Sequence, residues 1–294
     1  MNELLSVARQ AARDAVAVHR AHLGRVEAAD WTQKGAADFV THVDREAEAA
    51  ILKRIRAHFP DHRLLAEEAE TAPAAGAEGE RRGTWGVTNG GSSDWTWIID
   101  PLDGTTNYLH GYPAYAVSIG VARGMELHAA VVRHGSTGEE WTAVRGGGAF
   151  RDGSRIAVSA IEDMARTLIG TGFPFKALHL LPVYTRQLDV ALRATAGVRR
   201  AGSAALDLCH VATGWFDGFW ELDLAPWDVA AGALVVREAG GLVTRLDGSS
   251  DVIGHGSLLA GNPAVHAALG ELMRSAAAAT DTVVAQSPKY ELPS

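Results

Sequence analysis

The stretch WIIDPLDGTTNYLHG, residues 97–111, decides how the rest of this 294-residue chain is read. Its apolar run Trp97-Ile98-Ile99 predicts a strand ending at Asp100. Pro101 then fixes φ, and Asp103 follows three residues after the first aspartate. Gly104 permits a tight backbone, and Thr105 and Thr106 supply hydroxyls. Such a turn can aim two carboxylates and several backbone N–H groups at one place. Carboxylate oxygens suit hard cations such as Mg2+, and backbone N–H groups suit a phosphate. Three familiar motifs fail here. An EF-hand loop starting at Asp100 would meet Leu102, Gly104, Thr105 and Gly111 at its positions three, five, six and twelve. Phosphatases with an aspartyl nucleophile separate two aspartates by one residue, whereas both Pro101 and Leu102 intervene here. A Walker A loop needs Gly-Lys, and none of Lys34, Lys53, Lys176 and Lys289 follows a glycine.

Outward from this turn, the runs AYAVSIGVA (114–122), LHAAVVRH (127–134) and EEWTAVR (139–145) predict further strands, and RGGGAFRDG (145–153) has hairpin chemistry. Upstream, residues 2–26 place Leu4, Ala8, Ala11, Ala15 and Val16 at helical spacing. A second helix starts at Thr41, where Thr41 and Asp44 form a capping box, and stops before Pro60. WTQKGAADF (31–39) reads as loop and RLLAE (63–67) as a short strand. Residues 68–94, rich in Ala, Gly, Ser and Glu, read as a mobile insertion. Downstream, helices are predicted over 180–195, 203–214 and 227–238, strands at FDGFWEL (216–222) and LVTRLDG (242–248), and a weakly ordered tail at the end. The patterning alone gives a mixed α and β chain. We expect an N-terminal α+β half over 1–175, a C-terminal α/β half over 176–275 and a flexible tail over 276–294.

Composition narrows the function. Lys and Arg number 27 against 35 Asp and Glu, a formal net charge of −8, and an acidic chain is a poor counterion-releasing surface for nucleic acid. We therefore expect no direct nucleic-acid binding. No apolar run approaches the roughly 18 residues of a membrane span. A single cysteine, Cys209, and no signal-like start place the expectation in a reducing cytoplasm. Cys209 reads as a small core residue, and Arg199 and Arg200 as a solvated pair, the alternative being contact with a subunit neighbour or substrate.

Two more acidic strings matter: RLLAEEAE (63–70), with Glu67 and Glu68, and APWDVAAGALVVREAGG (225–241), with Asp228 at a helix start and Gly240-Gly241 at its end. Alone, these are a solvated pair and a helix cap. Together with the central turn they say more. WIIDPLDGTTNY and WDVAAGALVVREAGG resemble, nearly residue for residue, the two signature motifs of the inositol monophosphatase family, the magnesium-dependent, lithium-sensitive phosphatases. GSAALDLCHVATGWFDGFWEL (202–222) resembles the family's substrate-side segment, and the likeness runs from the first helix to about residue 270.

That resemblance implies an αβαβα sandwich of the sugar-phosphatase type and a homodimer. It also implies two or more Mg2+ ions per subunit, with Mn2+ as a substitute. Glu67, Asp100 and the carbonyl of Leu102 match ligands of the first metal, and Asp100, Asp103 and Asp228 match ligands of the second. Gly104 and Thr105 match the phosphate-contacting turn, to which Leu102 and Asp103 also belong. Asp44 matches the carboxylate that pairs with Thr105, and with Glu67, to activate water. Gly202, Ser203, Ala204 and Glu221 match positions lining the polyol pocket, completed by Asp228. Two departures stand out: Ala66 replaces the family's usual glycine before Glu67, and the segment between Glu67 and Asp100 is longer than usual.

Electrostatics points the same way. Four carboxylates converging to about 5.5 Å would repel by about 3 kcal/mol per pair at an effective dielectric near 20, roughly 18 kcal/mol over six pairs. A domain's whole stability is about 5 to 15 kcal/mol, so convergence requires cations or protons. Zinc would need a His/Cys cluster that the sequence lacks.

The resemblance implies hydrolysis of a phosphate monoester on a small polyol, foremost myo-inositol monophosphate, by two-metal activation of water. The alternatives are a fructose-1,6-bisphosphatase, a histidinol phosphatase, or a regulatory binding role beside catalysis, as some bacterial relatives have with the transcription machinery. Nucleotide 3′-phosphatases of the family carry a charged residue where Thr106-Asn107 stands here.

Overall fold

A computed structural model describes residues 2–26, 31–35, 38–70, 93–254 and 256–278. Of the expected insertion, residues 71–92 lie outside the described residues, as do 279–294 of the expected tail.

The chain begins with two helices, α1 (Asn2–His22) and α2 (His42–His58). The predicted box at Thr41 is present: its hydroxyl oxygen accepts the Val43 N–H at 3.1 Å, and its own N–H donates to Asp44 Oδ2 at 2.9 Å. Between the helices the expectation fails. Instead of a loop, 31–39 contains the antiparallel pair β1 (Thr32–Gly35) and β2 (Asp38–Val40), whose strands are too short to show a period of two.

Seven strands then form one sheet in chain order: β3 (Arg63–Ala66), β4 (Trp95–Asp103), β5 (Ala116–Arg123), β6 (Glu126–His134), β7 (Glu140–Val144), β8 (Gly148–Arg151) and β9 (Ser154–Arg155). Only β3 and β4 run parallel. The one-turn helix α3 (Glu67–Glu70) ends β3, and α4 (Thr105–Leu109) follows β4. A second sheet contains β10 (Leu168–Thr171), β11 (Gly197–Arg199), β12 (Gly218–Leu224), β13 (Leu242–Arg245) and β14 (Gly256–Gly261) in the order β11-β10-β12-β14-β13. The remaining helices are α5 (Leu181–Ala194), α6 (Ala204–Thr213), α7 (Pro226–Glu238) and α8 (Pro263–Ala278). The sequence patterns do not single out β10, β11, β14 or α8. Short apolar runs fit strand and helix equally, and α8 carries helix three residues into the expected tail.

Alternation along the strands sorts the layers. Trp97, Ile99, Val117, Ile119 and Val131 face α1 and α2, meeting Ala8, Ala12, Ala47 and Ile51. Ile98, Ala130 and Val132 face the other way onto α6 and α7, whose far side meets Phe219, Leu258 and Ala260 of the second sheet. Trp220, Leu222 and Leu259 turn outward onto Tyr184 and Ala191 of α5 and Val265, Leu269 and Met273 of α8. The order is α, β, α, β, α, as the resemblance implied. The layers approach closely because small residues line them: a Cβ at Gly120 would stand 2.9 Å from Ala230 Cβ, and one at Gly232 would stand 2.6 Å from Leu208 Cβ. Cys209 lies buried in the middle layer, as expected. No helix among the described residues is long and apolar enough to cross a membrane.

Candidate functional site

On a regular strand, residues three apart point to opposite faces, so Asp100 and Asp103 should not meet. The structure resolves this with a bulge. Asp100 pairs with Ser118 and Asp103 with Ala116, so β4 spends three steps where β5 spends two, and the extra residue returns Asp103 to the face of Asp100. Pro101 sits inside the irregularity, where a residue without an N–H is tolerated. The backbone then turns at Gly104, with φ +90°. A Cβ there would stand 2.8 Å from the Ala114 carbonyl oxygen, so only glycine fits the turn into α4.

The second sheet mirrors this. Glu221 pairs with Leu258 and Leu224 with Gly256, again one extra residue, and Asp223 within the bulge adopts φ +61°. Between the two bulges lies a cavity of about 350 Å³. Glu67, Asp100, Leu102, Asp103, Gly104, Thr105, Gly202, Ala204, Glu221 and Asp228, all predicted site residues, line it. Ser203 does not. Its hydroxyl donates to Asp103 Oδ2 at 2.6 Å and accepts from the Leu206 N–H as the cap of α6, so it supports a carboxylate rather than facing a polyol. The Ala205 N–H donates to the same Asp103 oxygen at 2.8 Å. Asp44 also stands behind the wall: its Oδ1 is 3.1 Å from Thr105 Oγ1, and its Oδ2 accepts from the Thr41 N–H and hydroxyl. Thr105 Oγ1 is also 3.0 Å from the Leu102 carbonyl oxygen.

The charges are strained toward protonation. Burial, followed by the charges of Glu67, Asp103 and Asp228, pushes Asp100 well above the usual carboxylate range. Burial raises Asp103 and Asp44 as well, against the hydrogen bonds each accepts. Burial, with Asp228 and Asp103 beside it, lifts Glu221 to about 8. The acceptors of the predicted metal ligands Glu67, Asp100, Leu102, Asp103 and Asp228 are all oxygens, which is the donor chemistry of a hard divalent ion. As placed, no three His, Cys, Asp or Glu side chains among the described residues close into a coordination shell.

Sequence reasoning passed over one wall of the cavity. Phe173, Phe175 and Lys176 line it, and Arg200, read from the sequence as solvated or else in contact with substrate or a neighbouring subunit, lies 5.3 Å and 5.2 Å from the two ring centroids. The string GFPFK (172–176), with aromatics flanking a proline beside a lysine, was the available signal. Asp207 was missed too: it is buried in α6, its Oδ1 without a hydrogen bond and 4.0 Å from His210 Nδ1.

Layers and donor set define a class: an αβαβα protein with an oxygen-rich cavity beside a glycine turn. The profile of the inositol monophosphatase family matches residues 1–280. The chain is 41% identical over 264 residues to the Nus factor SuhB of Pseudomonas aeruginosa, covering 89% of this chain and 92% of that one. Among solved structures, the IMPase of Thermotoga maritima superposes with a TM-score of 0.81 at 30% identity, covering 95% of this chain and 99% of that one. The inositol monophosphatase of Anabaena gives 0.77 at 36% identity, covering 93% and 96%. The chain belongs to the inositol monophosphatase family, whose members are metal-dependent.

Proposed function

We propose that this chain hydrolyses a phosphate monoester on a small polyol, with myo-inositol monophosphate as the leading substrate, as a cytoplasmic homodimer. The observation that carries this reading is the cavity that gathers Glu67, Asp100, Asp103, Glu221, Asp223 and Asp228 beside the Gly104–Thr105 turn. Residues 1–175 contribute Asp44, Glu67 and the β4 turn, and 176–275 contribute Gly202, Ala204, Glu221 and Asp228. Glu67, Asp100 and the Leu102 carbonyl would hold one Mg2+, and Asp100, Asp103 and Asp228 a second. When bound, the two ions lower the pKa of water and offset phosphoryl charge.

The chain's own groups handle the proton. Asp44 Oδ2 is committed to Thr41, which leaves Oδ1 to take the Thr105 hydroxyl proton while Thr105 Oγ1 accepts one from the attacking water. Burial makes Asp44 a stronger base than a free aspartate, and a positioned base of this kind contributes about 10² to 10⁴ in rate. Ser203 and the Ala205 N–H lock the orientation of Asp103. Glu221 faces the polyol, where its carboxyl oxygens meet substrate hydroxyls.

The test is phosphate release from inositol 1-phosphate, dependent on Mg2+ and suppressed by lithium. Asp103→Asn is expected to lose at least about 10²-fold in kcat, and retention of full activity in that variant overturns the assignment. The relatives named Nus factor SuhB favour a second role beside catalysis, one of regulatory binding. Comparing partner capture by wild type and by the inactive Asp103→Asn protein separates the two roles.

A further inference from the structure

Gly172 is the first residue after β10, and the pairing of β10 with β12 carries it alongside Glu221. Over that parallel pair Ile169 stands opposite Gly218, Gly170 opposite Phe219 and Thr171 opposite Trp220. One step further along both chains, Gly172 falls beside Glu221. Alternation fixes the faces. Thr171 and Trp220 both turn toward α5, where Thr171 Oγ1 lies 3.2 Å from the Tyr184 hydroxyl and the Trp220 ring stacks on the Tyr184 ring. Gly172 and Glu221 turn the other way, Glu221 onto the cavity. On its far side Glu221 pairs with the buried Leu258, whose side chain offers only apolar atoms. The carboxyl group lies instead over Gly172: the three atoms nearest a Cβ at Gly172 would be Glu221 Cδ, Oε1 and Oε2, and the Cβ would overlap them. The φ of Gly172 lies outside the left-handed region, so what excludes a side chain here is the Glu221 carboxyl and not the backbone.

Adjacent strands lie about 4.8 Å apart, so a glutamate can lie across its neighbour only where that neighbour carries no side chain of its own. We propose that Gly172 is a positioning residue for the reaction: it provides the recess that seats the Glu221 carboxyl against the cavity wall and leaves the space in front of it to the polyol ring. A side chain at 172 would evict the carboxyl from this recess, and the free space open to it is the cavity itself, where substrate hydroxyls bind. The reacting phosphate belongs to the Gly104–Thr105 turn, on a different element, so the effect falls on recognition of the polyol and not on the chemical step. This rests on the phosphatase reading of the cavity and deepens it.

The test is a size-compensating pair of substitutions, Gly172→Ala and Glu221→Asp, alone and combined. Each protein is read by its KM and kcat for inositol 1-phosphate with Mg2+ and by the Ki of inorganic phosphate, which carries no polyol. Gly172→Ala is expected to raise KM by about tenfold or more, the size of a lost hydrogen bond to a charged group, with kcat within about threefold and Ki unchanged. Glu221→Asp is expected to raise KM as well, but its shorter side chain leaves room for the added methyl group. The double variant is therefore expected to stay within about threefold of Glu221→Asp alone, well below the product of the two single effects. An unchanged KM in Gly172→Ala, a Ki that rises in parallel with KM, or a double variant at the full product overturns the inference and leaves the phosphatase reading in place. If Gly172→Ala alone fails to fold, a folded double variant with the KM of Glu221→Asp supports the inference, and an unfolded one overturns it. Wild type that releases no phosphate from inositol 1-phosphate overturns the polyol reading, and the inference with it.

Discussion

His19 lies in α1 close to Pro101 of the Asp100–Thr105 turn, fully buried, with neither ring nitrogen in hydrogen-bond geometry with a partner. Its ring packs on Tyr108 at 5.7 Å and Tyr115 at 5.9 Å. Burial drives its pKa from 6.5 down to about 4; the Pro101 carbonyl lies close enough to favour the charged ring slightly without completing a hydrogen bond. The folded value is below the unfolded one, so the unfolded chain binds more protons between these limits. Stability therefore falls as pH drops through about 6.5 and stops falling, for this group, below about 4. The full gap corresponds to roughly 3 kcal/mol, and at pH 5 about 2 kcal/mol of it is already lost. The perturbation is His19→Phe, which keeps an aromatic ring against both tyrosines and leaves the His19 main-chain oxygen free to accept the Tyr108 hydroxyl. Urea unfolding of both proteins in chelator at pH 7.5, 6.5, 5.5 and 5.0 gives the comparison. Buried carboxylates such as Asp207, raised by burial, push stability the other way on acidification, but they act equally in both proteins and cancel in the difference. Wild type is expected to lose about 2 kcal/mol more than His19→Phe between pH 7.5 and 5.0. Parallel stability curves would refute the assignment of a neutral, unpartnered His19.

Two further perturbations probe the site's scaffold. Gly104→Ala places a Cβ 2.8 Å from the Ala114 carbonyl at a backbone φ of +90°, so phosphate release is expected to fall by more than about tenfold while the melting temperature drops by a few degrees. Asp217 Oδ1 accepts the Ser159 hydroxyl at 2.5 Å and Oδ2 the Leu168 N–H at 2.6 Å, tying the start of β10 to β12. Asp217→Ala is expected to cost about 1 to 3 kcal/mol in urea unfolding, with KM for inositol 1-phosphate little changed.

What the sequence disclosed and what it hid follow from the range of the forces involved. The Thr41–Asp44 box spans three residues and is decided locally, so its letters were enough. The β5 strand and the Ala129–Val132 centre of β6 announce themselves because both faces are buried and the residues are mostly apolar. The Asp100–Asp103 pair was legible as chemistry but not as geometry. Spacing on a strand predicts opposed side chains, and only the bulge, for which Pro101 was the clue, sets them on one face. Ser203 was legible as a site position, yet its hydroxyl faces Asp103, a hundred residues away in the chain. The Arg200 contact with Phe173 and Phe175 joins separate elements through an exposed turn and leaves no periodic trace.

The two bulges explain how a layered sandwich acquires a cavity at all. Regular strands would carry alternating apolar side chains to their ends and leave the α6–α7 layer sealed against both sheets. An extra residue in β4 and another in β12 interrupt the ladders at corresponding places, and each interruption turns carboxylates inward where apolar side chains would otherwise close the gap. The resulting concentration of buried negative charge opposes folding, as the raised Asp100 and Glu221 show. It is tolerable because Asp103 accepts two hydrogen bonds from the start of α6 and because Lys176 and Arg200 bring positive charge to the facing wall. The −8 of the whole chain is thus partly a local quantity. Its surplus carboxylates are concentrated in part around the cavity, where divalent cations would relieve them, and Lys176 and Arg200 set positive charge on the cavity wall.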